Sequence, residues 1–289
     1  LAPTSPQPDN RHWDDALAEL VGANLLDALE GDRPLYALHP LVRQFFCLQR
    51  RDWDPEPHWR RELVAAAYAL AQDCQGVDLP RSVDYWRQAT HADPADAAAA
   101  YGLGYGLIPL GDSEGARQAF EQSRRNAEAA NDPRGVAVAW LGFGDVLVKQ
   151  GDGPGALAAY QAGLRIAEDL AKRDPANTEW QRDLSVSHDR IGDVLVSQGD
   201  GPGAQAAYQA GLRIREDLAK RDPANTQWQV DVAVSCAKLG SLSSLLSAEQ
   251  RKGHLLRGLE ILAQLKHAGK LHANQDFSAW FEQALRDLT

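Results

Sequence analysis

The chain has no methionine, and its three cysteines, Cys47, Cys74 and Cys236, are widely spaced with no CxxC pair among them. So odd and scattered a set supports neither a disulfide framework nor a zinc site, and it fits a reducing, cytoplasmic setting. Basic charge is also short. Thirty Lys and Arg against 40 Asp and Glu give a formal net charge of −10, which argues against a sequence-wide surface for nucleic acid or anionic membrane. Long apolar runs are missing too: a stretch such as residues 63–71 is far too short to span a bilayer, and no signal-peptide pattern opens the chain. With Leu1 first and no methionine anywhere, the chain reads as an excised piece of a longer protein.

Catalytic motifs are equally scarce. No GxxxxGK[ST] loop is present, so the chain by itself has no means of cradling ATP. His12, His58, His91, His254, His267 and His272 lack HExxH or comparable ligand spacing, and no Ser or Cys lies in a nucleophile motif. The abundant carboxylates read as solvated helix faces and helix-end charges. No enzyme activity, metal or cofactor is expected of this chain.

What the sequence does contain is a repeat. Residues 144–183 and 192–231 align at an offset of 48 and differ at five of 40 positions, 149/197, 157/205, 167/215, 179/227 and 182/230. A fixed period of this size means stacked copies of one supersecondary unit, an architecture that offers an extended surface to a partner.

Read as helices, nearly every recurring residue has a role. Gly151 ends a first helix, Asp152 caps the next, and Pro154 falls in its first turn, where a missing N–H does no harm. Gly199, Asp200 and Pro202 repeat the device. The run Gly151-Asp152-Gly153-Pro154-Gly155 superficially suggests a phosphate loop, but a helix-to-helix turn accounts for it better. Each second helix runs through Ala156, Tyr160 and Leu164 to Ala171 with apolar spacings of three and four, and Arg173-Asp174-Pro175 ends it. Thr178 to Gln181 and Thr226 to Gln229 have the form of capping boxes, so a new helix starts at each.

These residues resemble the tetratricopeptide repeat (TPR). Its pattern of bulky, apolar, Gly, apolar, Ala, aromatic and small residues is matched by Trp140, Phe143, Gly144, Leu147, Ala156, Tyr160 and Gly163. It is matched again by His188, Ile191, Gly192, Leu195, Ala204, Tyr208 and Gly211. An earlier unit from Ala97 supplies Leu103, Gly104, Leu107, Ala116, Phe120 and Ser123, and a degenerate one from Ala233 keeps Leu239 and Gly240. The resemblance implies an all-α superhelix of helical hairpins, an α-solenoid, over about four units in residues 96–267. The period of 48 exceeds the usual 34 or so, so helices or connections are longer. Residues 276–288 read as a capping helix, within a terminal segment 268–289, with Trp280 and Phe281 turned inward.

Upstream the pattern changes. Residues 14–49 read as helix (14–23), strand (24–29), a turn at Gly31-Asp32, strand (35–38) and helix (40–48). This order suits the back half of a winged helix, placed within residues 1–56. The string Leu38-His39-Pro40-Leu41-Val42-Arg43-Gln44-Phe45-Phe46 resembles the end of the winged-helix module of signal-transducing NTPases with numerous domains, the STAND class. The resemblance implies an upstream NTPase domain in a parent chain, a repeat sensor downstream, and a nucleotide-sensing role for His39 in that parent. The plainer reading of His39 is that it precedes Pro40 at a helix start. Residues 57–95 form either a helical linker or a degenerate repeat, with helices expected at 59–74 and 80–92.

The TPR resemblance places partner binding on the inner face of the first helices, at Tyr101, Tyr105, Leu141, Asp145, Lys149, Asp189, Asp193 and Ser197. Aromatic and acidic groups in alternation suit a basic or amphipathic protein segment or peptide. The expectation is therefore the sensor and autoinhibitory arm of a STAND-type signalling NTPase. One rival is a free-standing TPR adaptor. Another is a winged-helix DNA regulator, for which Arg43, Arg50, Arg51, Arg60 and Arg61 speak, diluted by Asp52, Asp54, Glu56 and Glu62. Near-identical repeats also allow head-to-tail self-association.

Overall fold

The computed structural model describes residues 26–29, 35–38, 65, 67–69, 71–72, 78–243 and 246–288. The chain divides into two compact units, Leu1–Trp59 and Arg60–Thr289. In the first, strand β1 (Leu26–Leu29) pairs antiparallel with β2 (Leu35–Leu38), Leu26 opposite Leu38 and Leu29 opposite Leu35. The strands lie within the segments expected of them, 24–29 and 35–38. The helices expected at 14–23 and 40–48, His39 and the arginines of the DNA-binding reading lie outside the described residues.

The second unit is a stack of antiparallel helices. In chain order these are α1 (Leu79–Ala92), α2 (Ala97–Leu107), α3 (Ser113–Ala129), α4 (Pro133–Lys149), α5 (Gly153–Arg173), α6 (Thr178–Ser197), α7 (Gly201–Arg221), α8 (Thr226–Gly240), α9 (Ala248–His267) and α10 (Ser278–Arg286). Each packs on the next, and α2 also meets α4 and α4 meets α6. Four hairpins result, α2/α3, α4/α5, α6/α7 and α8/α9, arranged as an α-solenoid.

The turns explain the boundaries. Asp112, Asp152 and Asp200 each accept from the backbone N–H three residues on, capping the second helix of a hairpin. The residues two before α5 and α7, Gly151 and Gly199, both have φ of +77°, a conformation glycine adopts without a Cβ penalty. The expected capping boxes at Thr178 and Thr226 give way to a simpler device. Asn177 and Asn225 are the caps, each accepting from the N–H groups two and three residues on, and the threonines are already helical. Asparagine offers its acceptor at Ncap as well as threonine does, and Asp174-Pro175 and Asp222-Pro223 set the chain for it one residue earlier.

The long period is also accounted for. From Phe120 to Tyr160 the chain advances 40 residues, and from Tyr160 to Tyr208 it advances 48. Helix α5 has four more residues than α3, α6 has three more than α4, and the connection between them has one more. The helices therefore carry seven of the eight extra residues.

One contact recurs through the stack. A Cβ added at Gly104 would lie 2.8 Å from the Phe120 ring. At Gly144 and Gly192 it would press closer still on Tyr160 and Tyr208, and at Gly240 it would come within 2.5 Å of Leu255. Phe120, Tyr160, Tyr208 and Leu255 are buried, together with the small residues Ala116, Ala156 and Ala204 that precede the three rings by one helical turn. The missing side chain lets each ring lie on the backbone of the facing helix and brings the helices close.

The ends follow the same chemistry. Helical residues 65, 67–69 and 71–72 and α1 continue the stack before α2: Ser82 Oγ donates to the Ala71 carbonyl at 2.7 Å, and Tyr68 meets Trp86 edge-on at 4.7 Å. Gly102 lies against the Trp86 indole. At the other end Phe281 of α10 is fully buried against Gly258. Trp280, expected to turn inward with it, is instead 44% exposed, because a nine-residue helix packing on α9 has room for only one of two adjacent rings on its inner face.

The glycine contacts are open to test. Gly144→Ala and Gly192→Ala should each destabilise by about 1–3 kcal/mol through overpacking. Gly253→Ala in α9, whose methyl would meet nothing within 4 Å, should be neutral or stabilise by up to about 1 kcal/mol. Urea unfolding of the three variants checks the ranking.

Candidate functional site

The first helices α2, α4, α6 and α8 carry the residues singled out from sequence, and the structure sorts them into three groups. Tyr105 and Asp145 meet directly: Tyr105 Oη donates to Asp145 Oδ2 at 2.8 Å. Tyr101 lies beside Tyr105, with ring centroids 4.8 Å apart. Lys149, Asp193 and Ser197 are at the surface or partly so, and the Ser197 hydroxyl is turned back to the Val194 carbonyl at 2.7 Å. Leu141 and Asp189, by contrast, are both only 6% exposed and do not line an open face. They correspond to one another at the offset of 48, on a side of the helix turned toward its hairpin partner. Asp189 lies there because Arg215 of α7 meets it, Nη1 to Oδ2, at 2.7 Å.

The acidic residues are not bare. Asp145 accepts from Tyr105 and, at 2.5 Å, from Tyr160, and Arg190 of the next first helix approaches it to 3.3 Å. Asp193 accepts from Tyr208 at 2.7 Å and pairs with Lys238 of the following unit at 2.5 Å. A second row runs with the opposite polarity. Arg134 reaches forward to Asp183 at 2.7 Å and to Glu179 at 2.9 Å, and Arg182 reaches Asp231 at 3.8 Å. Adjacent units are thus laced together by two rows of ion pairs, and the face is charge-compensated from within.

Burial shifts the hydroxyls accordingly. It pushes Tyr105, Tyr160 and Tyr208 well above the ordinary tyrosine range, with Asp145 or Asp193 beside them adding to the effect. Tyr101 is pushed up to about 12, first by burial. These phenols stay protonated at any ordinary pH, and Tyr105, Tyr160 and Tyr208 donate to the aspartates. His188 is pulled down by burial, against the attraction of Glu168 and Asp189, as a packing residue would be.

Two residues went unnoticed in the sequence. Val148 and Val196 are 47% and 46% exposed at corresponding positions near the ends of α4 and α6. Their hydrophobicity reads as core, and the signal that could have found them is their place, three residues after the selected Asp145 and Asp193 and so on the same helical face. Leu110, just past α2, is likewise exposed. Elsewhere an open cleft lies between α3 and α4, with Phe120, Glu121, Arg124, Trp140 and Phe143 in its lining. Arg124 stacks over Trp140 at 5.6 Å and pairs with Glu128. Its charged groups are tied to neighbours on their own helix, and no nucleophile stands beside a base there. Among the described residues no group of three or more His, Cys, Asp or Glu could hold a metal ion, and no helix is long and apolar enough to cross a membrane.

No family model and no curated protein sequence matches the chain. Among solved structures it is similar to BtubC (BKLC) from P. vanneervenii, at 16% identity and a TM-score of 0.52 over 78% of this chain and 92% of that one. Two structures of MamA, each 14% identical, align with TM-scores of 0.40 and 0.41 over 73% and 68% of this chain and 97% of theirs. At this identity the likeness to BtubC is one of fold, a solenoid of helical hairpins.

The lacing has unequal strengths. Tyr105→Phe should cost about 1 kcal/mol, the worth of a hydrogen bond in a partly buried site. Lys238→Ala should cost no more than about 1 kcal/mol, and less at high salt, because its pair with Asp193 is partly exposed. Urea unfolding at low and high salt separates the two: the Tyr105→Phe loss should persist at high salt.

Proposed function

We propose that the array binds a protein or peptide along the face of its first helices and serves as the sensor and autoinhibitory arm of a STAND-type signalling NTPase, whose NTPase domain lies in a parent chain. The observation that carries the binding reading is the alignment of Val148 and Val196, half-exposed, at one position of successive units beside compensated charges. Exposed apolar groups that repeat with the architecture favour a partner that repeats with it. Compensation of Asp145 and Asp193 by Arg190 and Lys238 favours an amphipathic segment over a merely basic one. In support of the STAND reading, the β1–β2 hairpin occupies the segment expected of a wing.

Such a sensor works only if its trigger binds the open state of the parent better than the closed one. A free-standing scaffold with the same face is the second reading. Self-association through open ends is disfavoured at the C-terminal end, where α10 covers α9. The intact mass and N-terminal peptides of the native protein separate the first two readings: a longer product with a P-loop peptide upstream supports the sensor, and a product beginning near Leu1 leaves the scaffold. For the face itself, Val148→Asp with Val196→Asp should lower capture of the partner at least tenfold without changing the circular dichroism. Unchanged capture by the folded variant would place binding elsewhere.

A further inference from the structure

Near-identical units raise a problem that the structure answers at one place. Helices α5 and α7 correspond residue for residue over 153–173 and 201–221, and they differ at only two positions, 157/205 and 167/215. Their N-terminal partners α4 and α6 share the stretch from Gly144 and Gly192 onward almost entirely. Shape alone therefore allows α7 to pack on α4, or α5 to pair with α6 as though α6 were its hairpin partner. Over this shared stretch packing energy distinguishes such arrangements poorly, because its glycines, alanines and tyrosines are the same; nearer their N-termini α4 and α6 differ, Trp140 and Phe143 standing against His188 and Ile191.

One buried constellation does distinguish them. Arg215 of α7, 7% exposed, sits between Asp189 of α6 and Ser235 of α8, with Nη1 2.7 Å from Asp189 Oδ2 and 2.6 Å from Ser235 Oγ. Asp189 is 6% exposed and Ser235 is fully buried. One unit earlier the corresponding residues are Ala167, Leu141 and Ser187. The serine is common to both units and the charged pair is not. It replaces an apolar pair, so the two substitutions go together. Strength does not explain this. A buried ion pair roughly breaks even against apolar residues of similar volume, and here Asp189 Oδ1 and Arg215 Nε find no partner among the described residues.

We propose that the Asp189–Arg215 pair is a register lock that makes the two near-identical hairpins non-interchangeable during folding. In the correct arrangement both charges are paired. With α7 against α4, Arg215 meets Leu141 and is buried alone. With α5 against α6 in a hairpin, Asp189 meets Ala167 and is buried alone beside a void. A lone buried charge is strongly disfavoured whatever the surrounding packing. The lock thus acts against slipped chains and against exchange of hairpins between two copies of the chain.

The test uses the full chain, unfolded in denaturant and refolded at micromolar concentration, with the product read by light scattering after size exclusion and by the number of refolding phases. D189L/R215A, which gives the third hairpin the residues of the second, should keep its helical content yet yield at least a tenfold larger dimeric or slowly refolding fraction than the parent. Moving the lock should cure it: L141D/A167R added to D189L/R215A makes the hairpins different again, with Ser187 already in place, and should return the product to a single monomer. If that variant does not fold, the reversed pair D189R/R215D is held to the same standard. Refolding of D189L/R215A as clean as that of the parent would overturn the proposal. So would a folded relocated or reversed pair that remains as heterogeneous as D189L/R215A, since the defect would then follow from something other than lost asymmetry.

Discussion

The approach of a ring to a bare backbone governs this molecule. At each hairpin a glycine of the first helix receives the large side chain of the second, and no other residue fits between them. The surface depends on this interior contact. When the ring is a tyrosine, lying on the glycine carries its hydroxyl across the helix to the next residue in sequence. Gly144 is followed by Asp145, which accepts from Tyr160, and Gly192 by Asp193, which accepts from Tyr208. In the first hairpin the ring is Phe120, with no hydroxyl to satisfy, and Gly104 is followed by Tyr105 instead of an acid. In the last, where Leu255 takes the ring's place, Gly240 is followed by Ser241. Core residue and surface residue change together because one atom, the phenol oxygen, belongs to both.

The five differences between the near-identical stretches can be read in the same way, as adjustments to what each unit meets. Glu179 pairs with Arg134, whereas Gln227 bonds to Asp231 and to Gln275. Arg182 reaches the next unit's Asp231, whereas Val230 is buried in the cluster that contains Leu262 and Phe281, where the stack is closing. Leu157 packs on the core beneath α6 and Gln205 takes its place one unit later. Ala167 and Arg215 differ because one faces an apolar neighbour position and the other a carboxylate. For Lys149 and Ser197, both exposed, nothing in the structure explains the difference. Most of these differences fall where one unit meets the next, and the exception, Arg215, is buried within its own hairpin against Asp189.

Much of this fold was legible because its boundaries rest on local chemistry. Glycine, aspartate and proline in a fixed order dictate a turn whatever surrounds them, and the helix ends fell within a residue or two of the reading. The caps at Asn177 and Asn225 were missed by one position because Thr-x-x-Gln satisfies the same pattern and only geometry decides which oxygen reaches the N–H groups. The face was harder. Motif position puts Leu141 and Asp189 on it, which assumes every unit exposes the same stripe of its first helix, yet both are buried. The cations that neutralise Asp145 and Asp193 lie 45 residues further along the chain, beyond the reach of any periodicity within one unit. Trp280 and Phe281 are adjacent, and no local rule says which of them the last helix buries. Of the winged-helix reading, the antiparallel pair β1–β2 is the part that falls among the described residues.

Compensation of the charges constrains how any partner is held on this face. A partially exposed ion pair contributes about 0–1 kcal/mol, so exchanging Asp145–Arg190 or Asp193–Lys238 for pairs with an incoming segment is close to neutral. It would fix orientation and exclude wrong sequences without supplying much affinity. On the proposed face the favourable term would then come from covering apolar surface such as Val148 and Val196, at about 25 cal/mol per Å². A half-exposed valine yields on the order of 1 kcal/mol at that rate, well below the several kcal/mol that association costs. No single unit can bind a partner on those terms. Affinity must accumulate over successive hairpins, which requires their spacing to be held constant, and the glycine contacts and inter-unit ion pairs are what hold it.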